Sequence, residues 1–486
     1  NENLYEVSIA ILHLQERQRL SLFVREDPFE HFISCLIYVP QDRYNSELRE
    51  KMQEILEAAF QGPISFWQSQ LGDLPYARVH FIITLSPGAL PKYDTTELEQ
   101  KLFQASLSWK DLLKEQFIET FSAGTGREYF RHFAKAFPVP YQSRYGAQTA
   151  TEDALRIDEI SADAPLSIKL VSPSEATKPE LHAKLYHHDQ ALPLAAVLPL
   201  FESMGLKVLN ETSFKILPKE RLSPVWIHDF EISLERLELK DTLKVSALFE
   251  DCFLKIHQGV VENDQFNALV FKSESPWHNI VILRAYAKYL RQLGVPYSQS
   301  YIEEALIHQP NIVKKLVDLF YLRFDPEMQK IKTRESKEKN LVSSITKALD
   351  EVKSLDEDRI LRSYLNLITS TLRTNYFQRK IEEQKENVLS FKIHAAKIFD
   401  MPEPRPEYEI FMYSPRMEAV HLRGGKIARG GIRWSDRRED FRTEILGLMK
   451  AQMVKNTVIV PTGAKGGFIV KTTKNGKTRD EFLQEG

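Results

Sequence analysis

The 486 residues hold 65 Lys and Arg against 67 Asp and Glu, 43% hydrophobic positions, 24 Pro and 19 Gly. That is too long for one ordinary core, suits roughly two to four domains, and at a net charge of −2 leaves no chain-wide field for nucleic acid or an anionic membrane. Two cysteines, Cys35 and Cys252, lie far apart and make neither a disulfide framework nor a metal site, so a reducing, cytoplasmic setting is expected.

No run is built to span a bilayer: the most apolar one, Ala191 to Phe201, is 11 residues and holds Pro193 and Pro199, against about 20 needed. Asn1 to Val7 carries Glu2 and Glu6 and lacks a secretory lead-in. The chain opens without Met and stops inside a predicted helix, Thr478 to Glu485, and is read as an excerpt from a longer protein.

In chain order, Val7 to Glu26 alternates as a hairpin or two strands, and Phe32 to Val39 is a buried strand. Asn45 and Ser46 offer a cap for a helix to Phe60, stopped by Gly62 and Pro63. Strands at Ile64 to Gln68 and Arg78 to Leu85 come next, then a long helix from Thr96, with a Thr96-x-x-Glu99 capping box, to Phe121. The order is that of a split β-α-β sandwich. It recurs with a strand at Leu181 to Tyr186, a helix ended by Gly205, and strands at Leu206 to Leu217 and Val225 to Ile232. In this rhythm both modules resemble the small amino-acid-sensing ACT modules, which implies a possible amino-acid effector. The loop Asp189-Gln190-Ala191-Leu192 lacks the glycine of that family's ligand loop, which favours a structural role.

Thr242 to Gln384 reads as helical. Ser275-Pro276 opens one helix, closed by Gly294 and Pro296. Ser354-x-x-Glu357 opens another that aligns Leu361, Leu365, Ile368 and Leu372. The mixed charges of Glu327 to Asn340 are a solvated face or linker. After Asn387 the pattern returns to strands, at 389–393, 410–413 and 418–422. The fold class expected is α+β: two β-α-β-β-α-β modules (1–165 and 166–240), a helical region (241–385) and the start of an α/β domain (386–486).

Ten of the 19 glycines fall between Gly424 and Gly486, and from His421 onward 14 Lys or Arg face seven Asp or Glu, a local balance of +7. Glycine marks close backbone approach, and the cationic excess points to an anionic ligand. Three segments carry it: Arg429-Gly430-Gly431-Ile432-Arg433-Trp434; a helix from about Arg438 to Met453, with Phe441, Ile445, Leu448 and Met449 inward, that delivers Lys455; and a strand at Thr457 to Val460 leading into Pro461-Thr462-Gly463-Ala464-Lys465-Gly466-Gly467. Among glycines, the Lys465 amine is open to a substrate carbon. Burial and neighbouring cations favour a neutral, basic lysine amine. Arg429 and Lys455 supply such cations and pair with two carboxylates of a small dianion.

In their order and residues these three segments resemble the glutamate dehydrogenases, and the tract from His421 to Lys471 resembles the large bacterial NAD-specific ones. Arg25-Glu26-Asp27-Pro28-Phe29, Ser34-Cys35-Leu36-Ile37-Tyr38-Val39-Pro40 and Ala136-Phe137-Pro138-Val139-Pro140-Tyr141 resemble that class's long N-terminal region. The resemblance implies oxidative deamination of L-glutamate to 2-oxoglutarate and ammonium. Lys465 would activate water, Lys455 hold the α-carboxylate and Arg429 the side-chain carboxylate, with Gly430, Gly431, Gly463 and Gly466 lining the site. Smaller family members carry Lys where Arg429 stands, and their spacing between the equivalents of Lys455 and Lys465 is longer. NAD is the implied cofactor, its site and the proton-transfer Asp being expected beyond residue 486, because no GxGxxG follows a strand here. A homo-oligomer is expected.

Other features have plainer readings. His182, His187, His188 and Asp189 read as a solvated strand end rather than a metal site, and no metal is expected. Met449 and Met453 are core residues. Trp434 either lines the pocket or packs under the glycine turn, and Arg437 and Arg438 form a surface ion-pair cluster or an interface. Nucleic acid is not an expected partner, because the basic tail is interleaved with Asp436, Glu439, Asp440 and Glu444 and has no aromatic ladder. The alternative to an enzyme is an ACT-type regulatory protein that senses an amino acid or organises an oligomer. Residues 1–486 alone are expected neither to bind NAD tightly nor to turn over glutamate, and turnover by this piece in a coupled absorbance assay would refute that.

Overall fold

The computed structural model describes residues 9, 20–29, 31–72, 75–86, 91–171, 181–233, 242–378, 388–399, 401–455 and 462–471. The first half of the expected N-terminal hairpin, the strand expected at Thr457 to Val460 and the helix expected at Thr478 to Glu485 lie outside them. The chain divides into two compact units, residues 1–159 with 215–224, and 160–214 with 225–486.

The first unit opens with β1 (Ser21–Glu26), β2 (Phe32–Pro40), α1 (Ser46–Phe60), β3 (Ile64–Leu71), β4 (Tyr76–Thr84) and α2 (Thr95–Ala105). The sheet is antiparallel throughout, in the order β1-β2-β4-β3. Alternate residues Ile33, Cys35, Ile37 and Val39 of β2 and Val79, Phe81 and Ile83 of β4 point to one side, as the two-residue period requires. There they meet Met52, Leu56 and Phe60 of α1 and Leu98 and Leu102 of α2 in one core. Asn45 caps α1 by accepting the Leu48 N–H at 2.8 Å. Gly62 is required where it stands, since a Cβ there would lie 2.2 Å from the Thr84 carbonyl oxygen.

The long helix expected from Thr96 to Phe121 is two helices. α2 is capped by Asp94, not by Thr96, and α3 (Trp109–Thr120) restarts at a Ser108–Asp111 capping box. A serine with an acidic partner three residues on favours a new start over continuation. Then come α4 (Ala123–Phe133), α5 (Val139–Arg144) and α6 (Ala147–Glu159). Gly126 lets α4 cross α3 closely, since its Cβ would sit 2.6 Å from the Phe117 carbonyl oxygen. Gly126 of Gly124-Thr125-Gly126 therefore serves packing.

The second unit begins with β5 (Leu166–Val171), β6 (Leu181–His188), α7 (Leu194–Ser203), β7 (Lys207–Ile216), β8 (Val225–Ser233) and α8 (Thr242–His257), and its sheet order, β5-β6-β8-β7, repeats the first. In both sheets the edge strand precedes the other elements, giving β-β-α-β-β-α. A strand joined directly to its antiparallel neighbour needs only a short connection. Gly205 ends α7 at φ +76°, while Asp189, in the loop that lacks glycine, takes φ +69°.

A 3₁₀ turn (Gln265–Ala268) leads into α9 (Leu269–Lys272), α10 (Trp277–Gln292), α11 (Gln299–His308), α12 (Pro310–Phe324), α13 (Pro326–Gln329), α14 (Arg334–Leu349) and α15 (Leu355–Ser370). Gly294, at φ +83°, closes α10. Leu372, expected in line on α15, lies beyond it in β9 (Thr371–Thr374). The third sheet is built from β9 with β10 (Leu389–His394), β11 (Tyr408–Tyr413), β12 (Met417–Arg423), β13 (Ala428–Arg429), β14 (Ile432–Trp434) and, after α16 (Phe441–Lys455), β15 (Thr462–Val470). Its order is β13-β15-β12-β11-β10-β9, with β14 also on β15. One continuous apolar core runs through the second unit, from Ala183 and Phe230 past Tyr286 and Leu316 to Val420 and Ile445. No described helix is long and apolar enough to cross a membrane.

Phe81 is fully buried whereas Trp67, on the edge strand, is 45% exposed. Phe81→Ala should cost about 3–5 kcal/mol and Trp67→Ala well under half of that, read as the shift of the first-module transition in urea.

Candidate functional site

β15 is the centre of the site. It runs antiparallel to β12, with Leu422 opposite Lys465, and parallel to β13 and β14, with Arg429 opposite Gly463 and Ile432 opposite Gly466. Lys465 thus stands in mid-strand, not in a glycine turn. The glycines are there for what lies above them. A Cβ on Gly463 would come within 2.9 Å of the Met453 backbone nitrogen, and one on Gly467 within 2.3 Å of Ile445 Cδ1. Both positions are on the Lys465 side of the pleat, so α16 rests on bare backbone at each end and a single side chain, half-buried Lys465, rises between.

The link between β13 and β14 is equally constrained. A Cβ on Gly430 would lie 1.7 Å from the Ala464 carbonyl oxygen, whereas one on Gly431 would meet nothing nearer than Lys465 Nζ, at 3.7 Å. The amine therefore lies over Gly431. Arg429 is exposed on the same side of the sheet, one strand across and two residues back, and Lys455 is exposed as the last residue of α16. Among the described residues none of these three cations is held in an ion pair, while Arg433 meets Glu444 at 2.6 Å and Arg437 binds Asp440. Gly466 serves differently from the other glycines. Its Cβ position faces His421 and Ile432 on the far side, and its N–H donates to the Gly431 carbonyl at 3.0 Å. Trp434 stacks on Phe468 with 5.8 Å between centroids.

Two side chains were not singled out from the sequence. Gln452 has a buried Oε1 with no partner, 2.8 Å from the Cβ position of Gly430. It lies three residues before Lys455, so both share one helix face, and that spacing is the signal a sequence reading can use. A buried acceptor left unpaired is costly. His421, opposite Gly466, buries an unpartnered Nδ1. Burial, then Arg423, push its imidazole below the usual range, so it is neutral near pH 7.

A model of the catalytic domain of bacterial NAD-glutamate dehydrogenase matches residues 344–486. Glutamate dehydrogenase ACT2 and ACT3 domains match 21–110 and 165–244, and helical motifs 2 and 3 match 116–160 and 261–326. NAD-specific glutamate dehydrogenases of Pseudomonas aeruginosa and Halomonas elongata are 42% and 40% identical over the whole chain, and that of Mycobacterium tuberculosis is 39% identical over 97% of it. The chain belongs to the bacterial NAD-specific glutamate dehydrogenase family. It spans about 30% of the length of these relatives.

Within this chain, the face of α16 expected to be apolar also buries a charge. Arg442 is fully buried and Leu448 only partly. Its guanidinium grips buried Glu409 of β11, with Nε donating at 3.1 Å, and Tyr289 Oη of α10 donates to the same carboxylate at 2.6 Å. Just past β15, Lys471 Nζ contacts Glu262 at 2.8 Å and Glu418 at 2.9 Å. The helix and strand of the site are thus each tied by charge to the rest of the second unit. Elsewhere, His182 meets Asp229 at 2.9 Å, and no His, Cys, Asp and Glu group suited to a metal occurs among the described residues. Both cysteines are buried thiols pushed up to about 12 by desolvation, which leaves them unreactive.

Gly430→Ala should unfold or displace the β13–β15 contact, lowering the thermal midpoint by several degrees. Gly431→Ala should leave the midpoint unchanged while reducing turnover of the full-length enzyme, because its methyl takes up open space in van der Waals contact with Lys465 Nζ, 3.7 Å away. Calorimetry and steady-state rates on both variants check the pair.

Proposed function

We propose that this chain supplies the substrate-binding and proton-transfer residues of an enzyme that converts L-glutamate to 2-oxoglutarate and ammonium, with NAD as oxidant. The observation that carries the proposal is the set of three cations, free of ion pairs among the described residues, around a glycine-cleared strand in a chain of this family. Arg429 takes the side-chain carboxylate, where its planar fork suits bidentate pairing. Lys455 takes the α-carboxylate, and the Gln452 oxygen accepts from the α-ammonium. Gly431 leaves open space beside the Lys465 amine, Gly430 and Gly463 let strand and helix close in around it, and Gly466 holds the β13–β14 link through its backbone N–H.

Lys465 acts on water. Once the α-carbon is oxidised to an iminium, the neutral amine removes a proton from a water as its oxygen bonds to that carbon. It returns that proton to the carbinolamine nitrogen, and as the C–N bond breaks the hydroxyl proton leaves with the ammonia as ammonium, so the carbonyl forms and the lysine ends as it began.

The described residues do not fit a dinucleotide. Their parallel crossover, β14–α16–β15, enters its helix through Ser435-Asp436-Arg437-Arg438-Glu439-Asp440, which has no glycine and several carboxylates where a pyrophosphate would sit. No step is therefore assigned to NAD within this chain. The finer parts of the proposal, an amino-acid effector, a homo-oligomer and a cytoplasmic setting, are supported by the ACT-domain matches and the reduced, buried cysteines.

In the full-length enzyme, Lys465→Ala should lower kcat by at least ~10²-fold, the scale of general base catalysis, with glutamate affinity by calorimetry nearly unchanged. Gln452→Ala and Arg429→Ala should instead raise KM about tenfold or more, the loss of one charge-assisted contact. Lost binding with preserved rate in Lys465→Ala would refute its role.

A further inference from the structure

A strand at the rim of a sheet offers unpaired N–H and C=O groups to any other chain, and folds usually guard it with charge or proline. The rims here are guarded in all places but one. β1 carries Arg25, β5 Lys169, β7 Lys207, β9 Arg373, β13 Arg429 and β14 Arg433. β3, with the sequence Ile64-Ser65-Phe66-Trp67-Gln68-Ser69-Gln70-Leu71, has neither a charge nor a proline. It also lies in the open, with Phe66 47%, Trp67 45% and Leu71 57% exposed. Its first N–H is taken, Ile64 donating to the Glu57 carboxylate at 3.0 Å, and the register with β4 shifts between Ile64 and Phe66. The regular, unguarded stretch is Phe66 to Leu71.

We propose that β3 pairs antiparallel with β3 of a second copy of this chain, about a two-fold axis at Gln68, so that their two sheets become one. The occupant follows from charge and symmetry. A two-fold axis sets each residue of a rim against the residue equally far from the axis on the other copy, so a charge near the axis meets its like. Lys169 in β5 or Glu211 in β7, each near mid-strand, would be opposed in that way, whereas β3 has nothing to repel its twin. Residues opposite one another in an antiparallel pair share a face, and with a period of two the axis must pass through a residue. Centred on Gln68, Phe66 lies opposite Gln70 and Trp67 opposite Ser69, all clear of the register shift. Centred on Trp67, the ladder would include Ser65 and set two indoles against each other. Gln68 meets Gln68, and a primary amide both donates and accepts. Trp67, whose ring centroid lies 4.4 Å from the Arg49 guanidinium carbon of α1, has only a small serine opposite. This pairing gives a surface to the homo-oligomer proposed above, on which it rests; the glutamate site plays no part in it.

The test is made on the full-length enzyme. Opposed Cα atoms of an antiparallel pair lie about 4.5–5.5 Å apart, a span that a disulfide bridges. Gln68→Cys should therefore give a dimer of twice the chain mass on mild oxidation, read on a non-reducing gel. The wild type, and Lys51→Cys at an exposed position of α1, should give none. In sedimentation velocity, Gln68→Lys and Gln68→Glu should each associate about tenfold or more weakly than the wild type, because like charges then face each other across the axis. An equimolar mixture of the two should recover the wild-type association. No cross-link in Gln68→Cys, an equal yield from Lys51→Cys, wild-type association in both charge variants, or a mixture no tighter than either alone overturns the pairing. A wild-type enzyme that sediments as a single chain refutes the homo-oligomer as well, whereas an oligomer without the Gln68→Cys cross-link refutes the β3 pairing alone.

Discussion

The distance between α16 and β15 governs this part of the molecule. Where Gly463 and Gly467 leave the strand without side chains, the helix descends until its Met453 backbone and the Ile445 side chain fill the room that β-carbons would need. Lys465 is the exception between them, and its amine lies over Gly431. The glycines carry a conformational penalty in a strand interior. The penalty is offset by a contact that no larger residue permits, and that contact sets the height at which Gln452 and Lys455 sit above the sheet.

Two kinds of charge occur here, and the structure separates them. Arg442 with Glu409, and Lys471 with Glu262 and Glu418, are drawn into the protein and paired there, so that removing one partner would strand the other. Arg429, Lys455 and Lys465 stand where a carboxylate can reach them. Residue type alone does not tell the two apart. Arg442 and Arg429 are thirteen positions from one another in a single basic tract, and only the burial of the first identifies it as structural.

Much is readable from local pattern. Asn45 as a cap, Gly205 and Gly294 as helix ends, the strand–helix rhythm of both modules, and Lys455 at the end of its helix all come from propensity and periodicity. Signals that depend on a distant partner are hidden. Ser108 competes with Thr96 for the role of helix start, and a run of favourable helical residues from 96 to 121 gives no weight to the interruption. The strand that carries Lys465 reads as a loop because glycine is rare in strands, and the reason for the exception, α16 overhead, is a tertiary one. Gln452 looks like any polar residue on a helix until its oxygen is seen to be enclosed without a donor.

The order of elements within the modules has an effect on how the chain is strung together. Because the edge strands β1 and β5 come first, each module ends in a helix, α2 in one and α8 in the other. The polypeptide therefore departs from the layer covering the sheet and not from its rim. Both modules then continue into further helix, α3 to α6 after the first and α9 to α15 after the second. A connection of this kind adds length by apposition, so that regulatory-type sheets and helical spacers alternate without any strand having to be threaded across a finished surface.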